Sequence, residues 1–329
     1  MRTVVTIAAV AAMSAALLTG CGGRQDSPQA DTGGEITCEV NRDTRIGIAT
    51  GNATGVYFAL GNAYAEQIAD ATDGTVKATA AETGASVQNI QQLVAGTYQV
   101  AFSLADTAAD AVRGTGSFEG EQPVRALSRI YPNYTQVIVR ADANIGSVAD
   151  LRGKRVSTGS PKSGTEVIAR RLLTAAGLDP DADVAAQRLD LTKTVDGMKD
   201  GSIDAMFWSG GLPTPGITDL FTTARDEVRF LDITELLDEM RAVNPVYEQG
   251  VIPAAAYGLP ADVETIVVPN LLLVRDDIDA DLACVLTTVL FDRKSRLEQV
   301  NPAAEGIDRA VAAETAPVPL HRGAEQALR

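Results

Sequence analysis

Thr44-Arg45-Ile46-Gly47-Ile48-Ala49-Thr50-Gly51-Asn52-Ala53-Thr54-Gly55-Val56-Tyr57 is the stretch on which the fold turns. Ile46 and Ile48 alternate with smaller or polar neighbours, the period of a short strand. A turn of small residues follows, and Tyr57, Leu60, Tyr64 and Ile68 then recur at helical spacing over residues 56–71. Residues 76–81 read as a strand, 86–95 as a helix with Val87, Ile90 and Leu93 on one face, and 100–103 as a short buried strand. The order returns further along. Gly153-Lys154-Arg155-Val156 leads to Thr158-Gly159-Ser160-Pro161-Lys162-Ser163-Gly164-Thr165, and a helix runs over 166–176. Strand, small-residue turn and helix, twice over, predict an α/β fold with a mostly parallel sheet, arranged as two lobes of similar design.

Further outward, residues 135–140 form a strongly apolar strand, and 265–274, broken at Pro269, an apolar return. Two crossings imply a cleft that opens and closes about a hinge. Lobe 1 is expected to comprise residues 44–134 plus 265–329, and lobe 2 residues 135–264. A helix over 193–200 precedes a strand over 205–208, which ends at Ser209-Gly210-Gly211-Leu212-Pro213, and helices from about 281 and 302 close the chain.

The N-terminus addresses the compartment. Arg2 precedes an apolar run over 4–18, too short to anchor in a bilayer but of the length of a signal-peptide core. It ends in Leu18-Thr19-Gly20-Cys21, the pattern of a bacterial lipobox, whose thiol takes a diacylglyceryl group before cleavage. An ordinary signal peptide with an incidental cysteine is the alternative. Residues 1–20 are thus read as a lipoprotein signal peptide, and 21–43 as the acylated Cys21 and a flexible tether too polar to fold. The expected location is extracytoplasmic, with membrane attachment through the N-terminal lipid only. A net charge of −15 argues against nucleic acid and against docking on anionic headgroups. In an exported protein the remaining Cys38 and Cys284 point to a disulfide, unless Cys284 is simply a small buried hydrophobe in its apolar run.

The two turns carry the chemistry. A helix N-terminus presents unpaired N–H groups and partial positive charge, and small residues let a ligand approach them. Facing each other across a cleft, the turns would hold a small anionic or zwitterionic ligand without a charged side chain. Neither turn has a Walker ending, and Gly51 to Gly55 does not fit G-x-G-x-x-G, so no nucleotide and no cofactor is expected. His321, the single histidine, lies far in sequence from either turn, which disfavours Ser–His or Cys–His catalysis. Asp276, Asp277, Asp279 and Asp281 lack EF-hand spacing and read as a helix-start cluster, so no metal is expected. Trp208 either stacks on a ligand or caps the core, and Tyr131 and Tyr134 either reach the cleft or pack.

Gly51-Asn52-Ala53-Thr54-Gly55-Val56-Tyr57-Phe58 resembles the G-T-G-G-T-Y-Y opening of the TAXI receptors, the TRAP-associated extracytoplasmic immunogenic solute-binding proteins. Further blocks agree in order: Thr83-Gly84-Ala85-Ser86-Val87-Gln88-Asn89, S-V-A-D-L-R-G-K-R-V over 147–156, G-S-P-K-S-G-T-E over 159–166, Trp208-Ser209-Gly210-Gly211-Leu212-Pro213, Val268-Pro269-Asn270-Leu271-Leu272 and Pro317-Val318-Pro319-Leu320-His321. The resemblance implies a two-lobe periplasmic-binding-protein fold of type II with a ligand cleft between the lobes. It implies a receptor that passes glutamate, glutamine or another small carboxylate to a TRAP-type membrane permease; a monomer and no enzymatic activity are expected. Residue by residue, it places Gly51, Asn52, Thr54 and Tyr57 at the site, then Ser86, Asn89, Ser103 and Tyr131. From the second lobe it adds Ser160, Ser163, Gly164 and Thr165, with Trp208 and Gly210. Lys162 stands where glycine is common and either pairs with a second ligand carboxylate or points to solvent; His321 is a structural or docking element. Added bulk at Gly51 or Gly164 is expected to abolish binding. A receptor for a membrane sensor kinase uses the same cleft and anchor. A hydrolase with Ser160 or Ser163 as nucleophile lacks a base.

Overall fold

A computed structural model describes residues 34–329. In chain order the elements are β1 (Thr44–Ala49), α1 (Val56–Ala71), β2 (Val76–Ala81), α2 (Ser86–Val94), β3 (Val100–Leu104), α3 (Ala105–Arg113), β4 (Val124–Arg140), β5 (Arg155–Ser157), α4 (Gly164–Ala175), β6 (Ala185–Gln187), α5 (Leu191–Asp200) and β7 (Ala205–Gly210). There follow α6 (Pro215–Thr223), β8 (Val228–Phe230), α7 (Leu237–Val243), β9 (Glu248–Ile252), α8 (Ala254–Tyr257), β10 (Val263–Arg275), α9 (Ala280–Asp292), α10 (Lys294–Val300) and α11 (Arg322–Leu328).

The sheet runs β2-β1-β3-β10-β4-β7-β5-β6, with β8 on β4 and β9 on β10. It is mixed rather than mostly parallel. β1 pairs in parallel with β2 and β3, and β5 with β6 and β7, whereas β4 and β10 pair antiparallel with every strand they meet. The strand expected at 135–140 is the second half of β4, a 17-residue strand that starts at Val124. The helix expected from about 302 is a 3₁₀ turn, Pro302–Gly306.

β4 and β10 carry the chain between the lobes. The later part of β10 pairs with β3, its start with β9, and Tyr134–Val139 of β4 with β7. Between these halves Pro132 sits opposite Pro269, and the register slips just after it. Neither proline has an N–H, so the ladder loses two donors where the lobes join. On one side Ile46, Leu60, Tyr64, Ile68, Ile130 and Leu286 pack into one core; on the other Ile138, Met206, Leu220, Phe221 and Tyr257 pack into a second. The architecture is the two-lobe α/β fold of periplasmic binding proteins.

Cys38 and Cys284 are joined in a disulfide, and Asp281 Oδ1 accepts from Thr37 N (2.6 Å), Thr37 Oγ1 (2.9 Å) and Cys38 N (2.9 Å). Residues 37 and 38 are therefore fixed to α9, inside the stretch read as tether to residue 43. Residues 1–20, read as a signal peptide, Cys21 and the first part of the stretch read as tether lie outside the described residues. Among the described residues no helix is long and apolar enough to cross a membrane. The acidic run is a helix start: Asp279 caps α9 through Leu282 N, and Asp277 pairs with Arg275. His321 is a cap too, its Nδ1 accepting from Gly323 N at the start of α11.

Candidate functional site

Three helix N-termini, not two, converge on one cavity between the lobes. Its wall includes Gly51, Val56 and Tyr57 at the start of α1, Ala85 and Ser86 at the start of α2, and Ser163, Gly164 and Thr165 at the start of α4. Gly55 and Ala85, the residues before α1 and α2, make no side-chain cap hydrogen bond. Each terminus carries roughly half a positive charge, so the three together present on the order of +1.5. Among the described residues that line the cavity, none carries a formal charge. Ala85 has φ 75° and ψ −151°, a region almost confined to glycine. That strain turns the chain so that α2 points at the cavity.

The floor is a buried polar network where the lobes join. Asn270 Oδ1 accepts from Tyr57 Oη at 2.5 Å and from Asn133 Nδ2 at 3.1 Å, while Asn270 Nδ2 donates to the Tyr131 carbonyl at 2.9 Å. Ser209 of β7 donates its hydroxyl to Asn133 Oδ1. One chain of bonds thus joins α1, β10, β4 and β7. Beside it Tyr131 is 1% exposed, and its hydroxyl has no hydrogen-bond partner. Burial pushes the Tyr131 phenol well above its ordinary range, with Tyr57 adding to the shift, so it keeps its proton.

The lobes touch around the rim. Asn52 Nδ2 donates to Ser160 Oγ (3.2 Å), and the N–H of Leu191, first residue of α5, donates to Asn52 Oδ1 (3.1 Å). Gly216 N, in the first turn of α6, donates to the Thr54 carbonyl (3.4 Å), and Gln88 N to the Lys162 carbonyl (3.0 Å). Trp208 covers the remaining side. Its indole N–H donates to Thr214 Oγ1 at 3.1 Å, and its ring lies against Gly55. The enclosed space leaves room for water-sized centres over about 30 Å³. At ~10–15 Å³ for each water, that is roughly two or three waters.

Of the residues expected at the site, Gly51, Asn52, Tyr57, Ser86, Tyr131, Ser160, Ser163, Gly164, Thr165, Trp208 and Gly210 line this cavity. Three do not line it. Asn89 is fully buried and spends its amide on the Thr50 (2.6 Å) and Phe102 (2.8 Å) carbonyls, splinting β1 to β3. Ser103, inside β3, donates to the Leu104 carbonyl at 3.1 Å. Thr54 lies at the rim, where its carbonyl rather than its side chain bridges to α6. Lys162 points away, donating to Gln91 Oε1 at 3.1 Å. Gly55, Gly84, Ala85, Ser209 and Gly211, which fall within blocks quoted above, also line the cavity, as do Leu104 and Asn133, which carry no sequence signal beyond strand position. Ser160 is held by Asn52 and Ser163 caps α4 through Glu166 N, while the histidine required by a hydrolase caps α11.

The chain belongs to the NMT1-like family, whose sequence model matches residues 48–329. Among solved structures it is similar to a binding-protein component of an ABC phosphonate transporter from Pseudomonas aeruginosa, at 11% identity over 81% of this chain and 80% of that chain, with a TM-score of 0.55. It is also similar to a protein from Bordetella bronchiseptica RB50, at 16% identity over 86% of this chain and 88% of that one, with a TM-score of 0.54. At such identities the likeness is one of fold.

Proposed function

We propose that this member of the NMT1-like family is an extracytoplasmic solute-binding receptor that captures a small carboxylate or amino acid by closing its two lobes. The observation that carries the reading is the meeting of three helix N-termini, drawn from both lobes, on one enclosed cavity with an unpartnered buried phenol. Closure is favoured by whatever contacts the ligand makes to both lobes at once. The hinge lies at Pro132 and Pro269, so lobe 1 runs to residue 132 and resumes at 270. This moves the second crossing from the 264/265 boundary read from sequence. The ordered motifs shared with TAXI receptors support a TRAP-type permease as the partner, and the lipobox at Cys21 supports attachment to the cell membrane. Binding rather than catalysis follows from hydroxyls already committed to capping and bridging.

The test is thermal denaturation of the purified protein against a panel of small carboxylates, oxo acids and amino acids. A binder raises Tm in step with the logarithm of its concentration. A flat response across the panel would remove this reading.

A further inference from the structure

Three hydroxyls of the cavity wall each already accept a backbone N–H. Ser86 Oγ accepts from Leu104 N (3.1 Å), Ser163 Oγ from Glu166 N (3.0 Å) and Thr165 Oγ1 from Ser209 N (3.2 Å). Each oxygen keeps one lone pair, and the Ser163 and Thr165 hydroxyls keep an O–H to offer an anion, while Ser86 also bonds to Tyr57. The amide oxygens that face the cavity are engaged too, Asn52 Oδ1 by two donors and Asn133 Oδ1 by one. Asn52 Oδ1 receives Leu191 N and Ser160 Oγ, and Asn133 Oδ1 receives the Ser209 hydroxyl. Tyr131 Oη, 1% exposed and without a partner, is a protonated phenol with a bond still to make.

We infer that the ligand is a small organic anion lacking an ammonium group, an oxo or hydroxy acid rather than an α-amino acid. The inference rests on the receptor reading above and narrows its ligand class. A carboxylate accepts from the helix N–H groups, the Ser163 and Thr165 hydroxyls and Tyr131, satisfying both sides. A 2-oxo or 2-hydroxy oxygen accepts from the same kind of group. An ammonium group brings three donors and a positive charge against three positive helix ends, with no carboxylate in the lining to receive it. Size agrees. Two or three waters, each with a liquid share of ~30 Å³, correspond to roughly 60–90 Å³, the scale of a three- or four-carbon acid.

Calorimetric titration with matched acids tests this: pyruvate, lactate and alanine; 2-oxobutyrate and 2-aminobutyrate; 2-oxoglutarate and glutamate. The expected result is that, in every set that binds, the oxo or hydroxy acid binds at least tenfold tighter than the amino acid. An amino acid binding as tightly as its counterpart would overturn the inference and leave the receptor reading intact. Silence from every acid would overturn both.

Discussion

Arg171 of α4, in lobe 2, donates to Asp106 Oδ2 of α3, in lobe 1, at 2.8 Å, and its other terminal nitrogen reaches Asp110 Oδ2 at 2.6 Å. Tyr247 completes the cluster, donating to the same Asp106 oxygen at 2.5 Å and accepting from Arg171 at 3.0 Å. The Asp106 side chain is fully buried and that of Arg171 is 14% exposed, so the bonds form out of water. The cluster lies apart from the cavity lining and ties the lobes together on its own.

Arg171→Met should therefore cost stability, because it strands two carboxylates between packed helices. Breaking a buried pair by removing one partner costs ~3–5 kcal/mol, and the slight exposure of this one favours the lower end. Burial already raises the Asp110 carboxyl above its ordinary value, against the pull of Arg171. A raised acid contributes stability below its unfolded pKa that is lost as pH rises through the folded value. The deficit of the variant should accordingly shrink as pH is lowered. Urea denaturation of both proteins at neutral and mildly acidic pH checks this, and a deficit that grows toward acid contradicts it.

Gly164 and Gly51 are not equivalent. A Cβ on Gly164 would stand 2.5 Å from Leu104 Cδ1 and 2.7 Å from Ser86 Oγ, both on the opposite lobe. On Gly51 it would meet nothing closer than Tyr57 Cδ2 at 3.4 Å. Gly164→Ala should hold the lobes apart and weaken ligand binding by on the order of a hundredfold, with unliganded stability changed by less than ~1 kcal/mol. Gly51→Ala should stay within a few-fold of the parent. Titration of the two variants with the same acid separates them, and equal losses would remove Gly164 as the point of closure.

These contacts mark the limit of what could be read in advance. Both small-residue turns were legible, because strand, turn and helix leave local periodic signals, and the cavity does join them. The third helix end was visible only through motif likeness. Ala85 adopts a conformation for which glycine is the expected residue, so its local sequence conceals the turn. The first half of β4 went unread, since polar Arg125, Ser128 and Arg129 and the Pro132 hinge break its pattern. Asn133 and Asn270 meet across two strands far apart in sequence, and nothing local announces such a pair. Asn89 and Ser103, matched by motif to the site, stand behind its wall, Asn89 as a splint between strands.

Tyr131→Phe separates folding from binding. The hydroxyl is buried without a partner, so deleting it should leave the free protein as stable or up to ~1 kcal/mol more stable. If that hydroxyl donates to the ligand, affinity should fall about tenfold, the share of one hydrogen bond to a charged group. Thermal denaturation with and without ligand reads both. A free protein that loses stability would show that the phenol has a structural partner, such as a bound water.

Asp204 gives the fold an acid-sensitive contact in lobe 2. Its carboxylate receives Arg155 N (2.8 Å) and Nε (3.0 Å), and the Arg155 guanidinium holds it below the ordinary aspartate range despite partial burial. The bonds fasten β5 to the start of β7, beneath the turn that delivers Ser160 and Gly164 to the cavity. A depressed carboxyl contributes stability that is complete above its unfolded pKa and lost as pH falls through the folded one. Asp204→Asn should be less stable than the parent at neutral pH, and the two curves should converge once pH drops below the usual aspartate range. Partial exposure and salt screening make the gap small, so chemical denaturation at low ionic strength is the measurement to use. Curves that stay parallel down to strongly acidic pH would mean that the bond pattern, and not the charge on Asp204, holds β5 in place.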